Sequence, residues 1–282
     1  MTHIVFATCN ASPDIQPSDA VVRDALVAHG MKATAAPWNG LQDAFDAADA
    51  VVLRSTWDYQ YAPDAFKAWL DRREQNGLVL NPPTLVRWNL SKRYLLALAE
   101  RGAPLPPTRS VAPNVVSITA MMDEMGLTRA VVKPEFGATS SGLSIVERDD
   151  APGLDKAATA LAMPGIMQPL ISEISTHGET SFVFIESEFT HAVTKRPKKG
   201  EIRSQSEFGG TVTPTDPPAW AIAEARRVLE MAPGDPVYGR VDAIVLDGAI
   251  QLMELELIEP ELFFTYCPEA ADRFAAALMK RL

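Results

Sequence analysis

Two hydrophobic rhythms run along the chain. His3–Cys9 and Ala50–Arg54 are short, nearly unbroken apolar runs, the pattern of strands covered on both faces. Ser18–His29 and Asp64–Glu74 instead repeat apolar residues every three or four positions and stop at Gly30 and Gly77, which predicts amphipathic helices. Such alternation predicts an α/β unit with a parallel sheet over residues 1–82. Leu80–Pro83 reads as the crossover into the next unit.

The order of elements then changes. A helix is predicted at Ser91–Glu100, ended by Gly102 and followed by Pro104, Pro106 and Pro107. Strands at Ala130–Pro134, Leu143–Glu147 and Ile166–Leu170 surround a helix at Leu154–Ala162. An antiparallel pair falls within Thr180–Thr194, and a polar loop runs from Arg196 to Thr215. A helix at Ala219–Met231, strands at Tyr238–Leu246 and Ile250–Leu257, and a helix at Glu269–Arg281 complete the chain. This mixture predicts α+β units over 83–170 and 171–282.

Charge and composition narrow the partners. The 282 residues carry a net charge of −10, which disfavours nucleic acid and anionic membrane as partners. No apolar run approaches the ~20 residues that span a bilayer. Cys9 and Cys267 form neither a metal spacing nor a disulfide framework, so a cytoplasmic setting is expected.

Several short segments carry candidate chemistry. Lys133 ends the run Val131-Val132, and Gly137-Ala138-Thr139-Ser140-Ser141-Gly142 follows. Small residues let backbone N–H groups approach phosphate oxygens, with Gly137, Ser140, Ser141 and Gly142 as the key positions. Trp88-Asn89-Leu90-Ser91-Lys92 places Asn89 or Ser91 as a helix cap, with Lys92 in the first turn, where a cation opposes the helix dipole unless an anion binds. Gln168, Leu170 and Ile171 end a strand where a purine edge can be paired, and Glu179 lies where ribose hydroxyls can be accepted. The basic run Lys195-Arg196-Pro197-Lys198-Lys199 leads to Arg203 and then Gly209-Gly210, a close approach to a substrate. Arg203 suits charge on a transferring phosphoryl group or a tetrahedral intermediate. After the second strand, Arg54-Ser55-Thr56-Trp57-Asp58 offers Arg54 and Ser55 for a substrate carboxylate and Asp58 for an amine. Each segment also has a plain structural reading as a cap, a turn or a solvated loop.

The densest signal is Tyr238-Gly239-Arg240-Val241-Asp242, followed by Met253-Glu254-Leu255-Glu256-Leu257-Ile258-Glu259-Pro260. Glu254 and Glu256 share a strand face, as do Arg240 and Asp242. Oxygen-only ligands suit Mg²⁺. The competing reading is a salt-bridge network around Arg240, opposed by the difficulty of one arginine neutralising three acids. The expectation is a three-residue loop at Asp247–Ala249, with Gly248 in a left-handed or bulge position, which would pair Asp242 with Glu254 and Arg240 with Glu256. A two-residue turn at Asp247-Gly248 would set Asp242 and Glu254 on opposite faces.

In this order the segments resemble the ATP-grasp superfamily, nearest its glutathione synthetase-like ligases, over about residues 80–282. The resemblance implies an N-terminal substrate domain over 1–82, a small ATP-grasp subdomain over 83–170 and a metal-bearing C-terminal subdomain over 171–282. It implies ATP with Mg²⁺ or Mn²⁺, phosphates on Lys92 and Lys133, adenine at Gln168 to Ile171, ribose at Glu179 and metal on Asp242, Glu254 and Glu256. Arg203 and Arg240 match catalytic arginines. Glu256 stands where the family has asparagine. Arg-Ser-Thr-Trp-Asp-Tyr and Glu-Leu-Glu-Leu-Ile-Glu-Pro are similar to a bacterial group that includes cyclo-ligases of the D-cycloserine-forming type. The implied activity joins a small-molecule carboxylate to an amine through an acyl-phosphate, in a possible homodimer. A small-molecule kinase and a non-catalytic ATP-binding module stay open as alternatives.

Overall fold

The computed structural model describes residues 1–138, 141–198 and 209–282. Strands β1 (His3–Thr8), β2 (Lys32–Pro37), β3 (Ala50–Leu53) and β4 (Leu78–Leu80) form a parallel sheet in the order β2-β1-β3-β4. Helices α1 (Pro17–Ala28), α2 (Asp43–Asp46) and α3 (Pro63–Asn76) connect them. β1 and β3 are buried throughout, as their apolar runs require. β2 was not predicted. Its sequence Lys-Ala-Thr-Ala-Ala-Pro has no apolar alternation, and it lies at the sheet margin, mostly half-buried.

Helices α4 (Pro83–Leu90) and α5 (Tyr94–Glu100) follow. Where one helix from Ser91 was expected there are two, with Ser91, Lys92 and Arg93 between them. Lys92 therefore occupies a junction, and neither Asn89 nor Ser91 is the N-cap of α5. Strand β5 (Arg109–Val111), helix α6 (Val115–Met125), strands β6 (Arg129–Pro134) and β7 (Ser144–Glu147), helix α7 (Ala151–Leu161) and strand β8 (Gly165–Pro169) build the second unit. Its sheet, β5-β8-β6-β7, is antiparallel. The unpredicted α6 has both of its end signals: the Asn114 side chain accepts from the Ser117 N–H, and Gly126 closes the helix at φ 65°.

The third unit holds helix α8 (Ile174–His177), strands β9 (Glu179–Ile185), β10 (Glu188–Arg196) and β11 (Thr211–Thr215), helix α9 (Ala219–Glu230), strands β12 (Tyr238–Leu246) and β13 (Ala249–Glu256), and helix α10 (Pro268–Met279). Its antiparallel sheet runs β11-β10-β9-β12-β13. The expected loop Arg196–Thr215 thus ends in a strand. No helix among the described residues is long and apolar enough to cross a membrane.

Two asparagines join the units by imitating backbone. Asn81, fully buried, donates its amide to the carbonyls of Tyr238 and Leu257, both at 2.8 Å. Its oxygen accepts from the N–H groups of Val237 at 2.6 Å and Tyr238 at 3.3 Å. Asn89 on α4 donates to the Leu255 carbonyl and accepts from the Leu257 N–H, each at 2.8 Å. One apolar cluster passes from β1, through β9 and β10, to α10, so the closing helix packs on the first unit.

Replacing Asn81 with leucine strands four buried backbone groups. The expected loss is about 3 kcal/mol or more, seen as a lower urea midpoint with an unchanged slope. A loss below about 1 kcal/mol would show that the asparagine does not couple the units.

Candidate active site

The second and third sheets, with the segment after β3, line a cavity of ≈ 330 Å³. One wall is the face of β12 and β13 turned away from the apolar core, and its chemistry depends on register. Leu246 pairs with Ala249, leaving the two-residue turn Asp247-Gly248, with Gly248 at φ 77°. The expected three-residue loop is absent, yet Asp242 does pair with Glu254 and Arg240 with Glu256. A bulge restores the alignment. Ala243 pairs with Leu252 and Asp242 with Glu254, so Met253 is the extra residue. Ile250 and Leu252 before it enter the apolar core, and so do Leu255 and Leu257 after it. Without the bulge, Glu254 and Glu256 would follow Ile250 and Leu252 into that core.

The acids are matched by more cations than Arg240. Arg240 donates through Nε and Nη2 to both oxygens of Asp242, each at 2.9 Å, and lies 2.6 Å from Glu256. Ser181 on β9 donates to Asp242 at 2.6 Å. Lys195, ending β10, bridges Asp242 at 3.0 Å and Glu179. Lys92 donates to Glu254 at 2.8 Å, and Lys133 stands 3.6 Å from the same oxygen. The ion-pair network is therefore present. Among the described residues, no three acidic, histidine or cysteine side chains form a ready-made group for a metal ion, because Asp242, Glu254 and Glu256 are each held by a lysine or arginine.

These contacts set the protonation states. Burial works against the charge of Glu254, but Lys92 and Lys133 overcome it and bring its carboxyl down to about 2. Burial likewise opposes ionised Asp242, and Arg240 and Lys195 hold it well below the usual carboxylate range. Burial lowers the Lys133 ammonium, with Glu254 opposing and Lys92 adding to the shift. Glu256 has to share Arg240, and burial with Asp242 and Glu254 nearby pushes it up to about 7. Glu259 is pushed up to about 8 by burial and by Glu256.

The nucleotide-type residues come from the second unit and its borders, with Glu179 on β9 beside the acidic wall. Lys92, Lys133, Gly137, Ser141, Gln168, Leu170, Ile171 and Glu179 all line the cavity. The Lys92 N–H donates to the Glu135 carbonyl at 2.8 Å, and the Ser91 hydroxyl to the Glu135 carboxylate at 2.6 Å, tying the α4–α5 junction to the loop after β6. Gly142 borders that loop without lining the cavity. A side chain there would meet Pro134 Cγ at 2.9 Å, and its φ is 74°. The Gln168 amide nitrogen is spent on the Thr108 hydroxyl at 2.9 Å. Glu179, expected to face ribose hydroxyls, is already engaged by Lys195. Ser140 and Arg203 lie outside the described residues.

The expected substrate residues are not assembled. Arg54 is 2% exposed and points away from the cavity, donating to Asp19 at 2.8 Å and to the Pro260 carbonyl at 2.9 Å. Nε and Nη2 are so engaged, and Nη1 is buried without a partner among the described residues, so the guanidinium does not face the cavity as a carboxylate clamp. Ser55 is buried outside the cavity. Asp58 accepts from the Trp38 indole at 2.6 Å and from Asn39 at 2.8 Å, so it fastens the segment. Gly209 and Gly210 do not line the cavity either. The same segment contributes Trp57 and Tyr59 to the lining instead. Lys195, Ser181, Tyr59 and Glu259 are the positions that sequence reasoning missed. Lys195 had a usable signal, since pairing β9 with β10 sets it opposite Glu179.

Comparison with known proteins identifies the family. The model for the N-terminal domain of D-cycloserine synthetase DcsG matches residues 4–81. The cycloserine biosynthesis protein DcsG of Streptomyces lavendulae is 31% identical over 268 residues, 90% of each chain. The chain belongs to the D-cycloserine synthetase family of ATP-grasp ligases. The crystal structure of D-cycloserine synthetase DcsG superposes with a TM-score of 0.89 at 29% identity, covering 99% of both chains. The ATP-grasp ligase PsnB, with a TM-score of 0.64 at 16% identity over 99% of both chains, shares the fold. As a member of this family, the protein is an ATP-dependent enzyme that forms a carbon–nitrogen bond.

Replacing Lys195 with methionine leaves Asp242 and Glu179 short of a buried cation. A loss of about 3 kcal/mol is expected in urea unfolding, and a loss near zero would show the pair to be dispensable. Glu259, raised from the ordinary 4.5 to about 8, favours the fold most below pH 4.5 and progressively less up to pH 8. The Glu259→Gln protein is therefore expected to lose less of its melting temperature between pH 5 and 8 than the wild type. Equal slopes would overturn this assignment.

Proposed function

We propose that the protein activates the carboxylate of an amino-acid-like substrate as an acyl-phosphate and closes it onto a nitrogen of the same molecule, a cyclo-ligation of the D-cycloserine type. The observation that carries this reading is the meeting of Lys92, Lys133 and Glu254 in the cavity. Two ammonium groups on one acid form a cationic site that a triphosphate can enter by drawing the lysines onto its own oxygens. Gln168, Leu170 and Ile171 would receive adenine, and Glu179 the ribose once released from Lys195. Residues 1–82 are read as the substrate lobe, with 83–170 and 171–282 as the two ATP-grasp lobes.

The donor set also suits a divalent ion. Asp242, Glu254 and Glu256 offer only oxygen ligands and line one wall of the cavity, so they would hold Mg²⁺, or Mn²⁺ in its place, once drawn from their lysine and arginine partners. When bound, the ion neutralises charge on the phosphoryl group being transferred. Lys92 and Lys133 hold the phosphates in line, and the substrate carboxylate oxygen attacks the γ-phosphorus as ADP leaves. The nitrogen then attacks the acyl carbon, and phosphate departs as the nitrogen loses a proton. Arg240, with Arg203 from the segment before Gly209, would stabilise the oxyanion. The loop at Gly137 to Gly142 would exclude water from the acyl-phosphate.

The test is substrate-dependent ADP release across amino acids carrying a second nitrogen. An analogue lacking that nitrogen should give a hydroxamate when hydroxylamine is added. Lys133→Met should lower kcat by about 100-fold or more, the scale of losing a transition-state contact to charge. Product formation without trappable hydroxamate would exclude the acyl-phosphate.

A further inference from the structure

Glu259 is a buried acid of the cavity that has no cation among the described residues. It follows β13 in the chain, is 9% exposed and lines the cavity. Asp242, Glu254, Glu256 and Glu179 each have a lysine or arginine partner, whereas no cationic side chain among the described residues pairs with Glu259; Glu261, which also lines the cavity without a cation, is only half-buried and accepts the Phe263 N–H at 2.7 Å. Two aromatic residues hold it in place. The Tyr59 side chain lies beside its carboxyl and pulls against the upward push of burial, and the Trp57 indole N–H donates to its backbone carbonyl at 3.4 Å. Both also line the cavity. A buried carboxylate without a cation is costly, and a ligand that brings the cation repays that cost. A carboxylate beside aromatic rings is chemistry that recognises a primary ammonium group.

We propose that Glu259, with Trp57 and Tyr59, forms the subsite for the α-ammonium group of the substrate, restricting the enzyme to amino acids with a free primary amine. The proposal rests on the cyclo-ligase reading and gives Glu259 the role that the sequence suggested for Asp58. It also has a chemical consequence. An amine held as ammonium has no lone pair, so the acyl carbon is left to the second nitrogen, which closes the ring.

Calorimetry in the presence of Mg²⁺ and ADP tests this with two probes, D-cycloserine, which keeps the α-amine, and N-acetyl-D-cycloserine, which does not present it as a cation. The wild type should prefer the free amine by about tenfold or more, the scale of a hydrogen bond to a charged group. Glu259→Gln should lose most of that preference while binding ADP as tightly as the wild type, and Glu259→Asp should keep part of it. An unchanged preference in Glu259→Gln would overturn the subsite and leave the ligase reading standing. Equal losses of ADP and D-cycloserine affinity would also overturn it, since that is the signature of general disruption. A wild-type protein that binds neither probe would sink the cyclo-ligase reading and the subsite with it.

Discussion

Charge balance in a buried wall is the constraint on which this molecule turns. Asp242, Glu254 and Glu256 lie on neighbouring strands where isolated carboxylates are costly. Their cations come from four separate segments: Lys92 between α4 and α5, Lys133 at the end of β6, Lys195 at the end of β10 and Arg240 within β12. The second and third sheets are thereby tied to one site by charge as well as by packing. Such pairs add little net stability once desolvation is counted, but they impose a strong penalty on any arrangement that separates them. The network therefore specifies the site's geometry more than it strengthens the fold.

The bulge at Met253 is what puts these acids where cations can reach them. Strand β13 has to feed an apolar core at Ile250, Leu252, Leu255 and Leu257, and period-two alternation cannot place all four on one face. One extra residue changes the phase midway, so the acids fall on the cavity side and the leucines on the core side. A single irregularity meets both demands.

Much of this was legible in the sequence. The parallel unit followed from the apolar runs of β1 and β3, and Lys133, Gln168 and the acidic strand stood out by their chemistry. The pairing of Asp242 with Glu254 was anticipated for the wrong reason, because a bulge leaves no mark that distinguishes it from a longer turn. Arg54 and Asp58 misled, since a charged residue after a strand looks the same whether it faces a ligand or a buried partner such as Asp19. Lys195 was hidden in a basic run that resembles a solvated loop, and only the β9–β10 register sets it opposite Glu179. Glu259 was visible as a residue, but nothing local shows that other acids nearby have taken the cations. Weakly patterned elements such as β2 were missed because position in the sheet, not side-chain alternation, makes them strands.

The side-chain amides that mimic backbone have one more consequence. β13 is the last strand of its sheet, and a terminal strand normally presents a row of open peptide groups on which a foreign strand can grow. Here Asn89, the Tyr94 hydroxyl and the Pro104 carbonyl occupy the peptide groups of Leu252, Leu255 and Leu257. The strand that carries the acids is thus closed to templated self-association, and the surface it would have offered to another chain is spent on holding α4 and α5 in place.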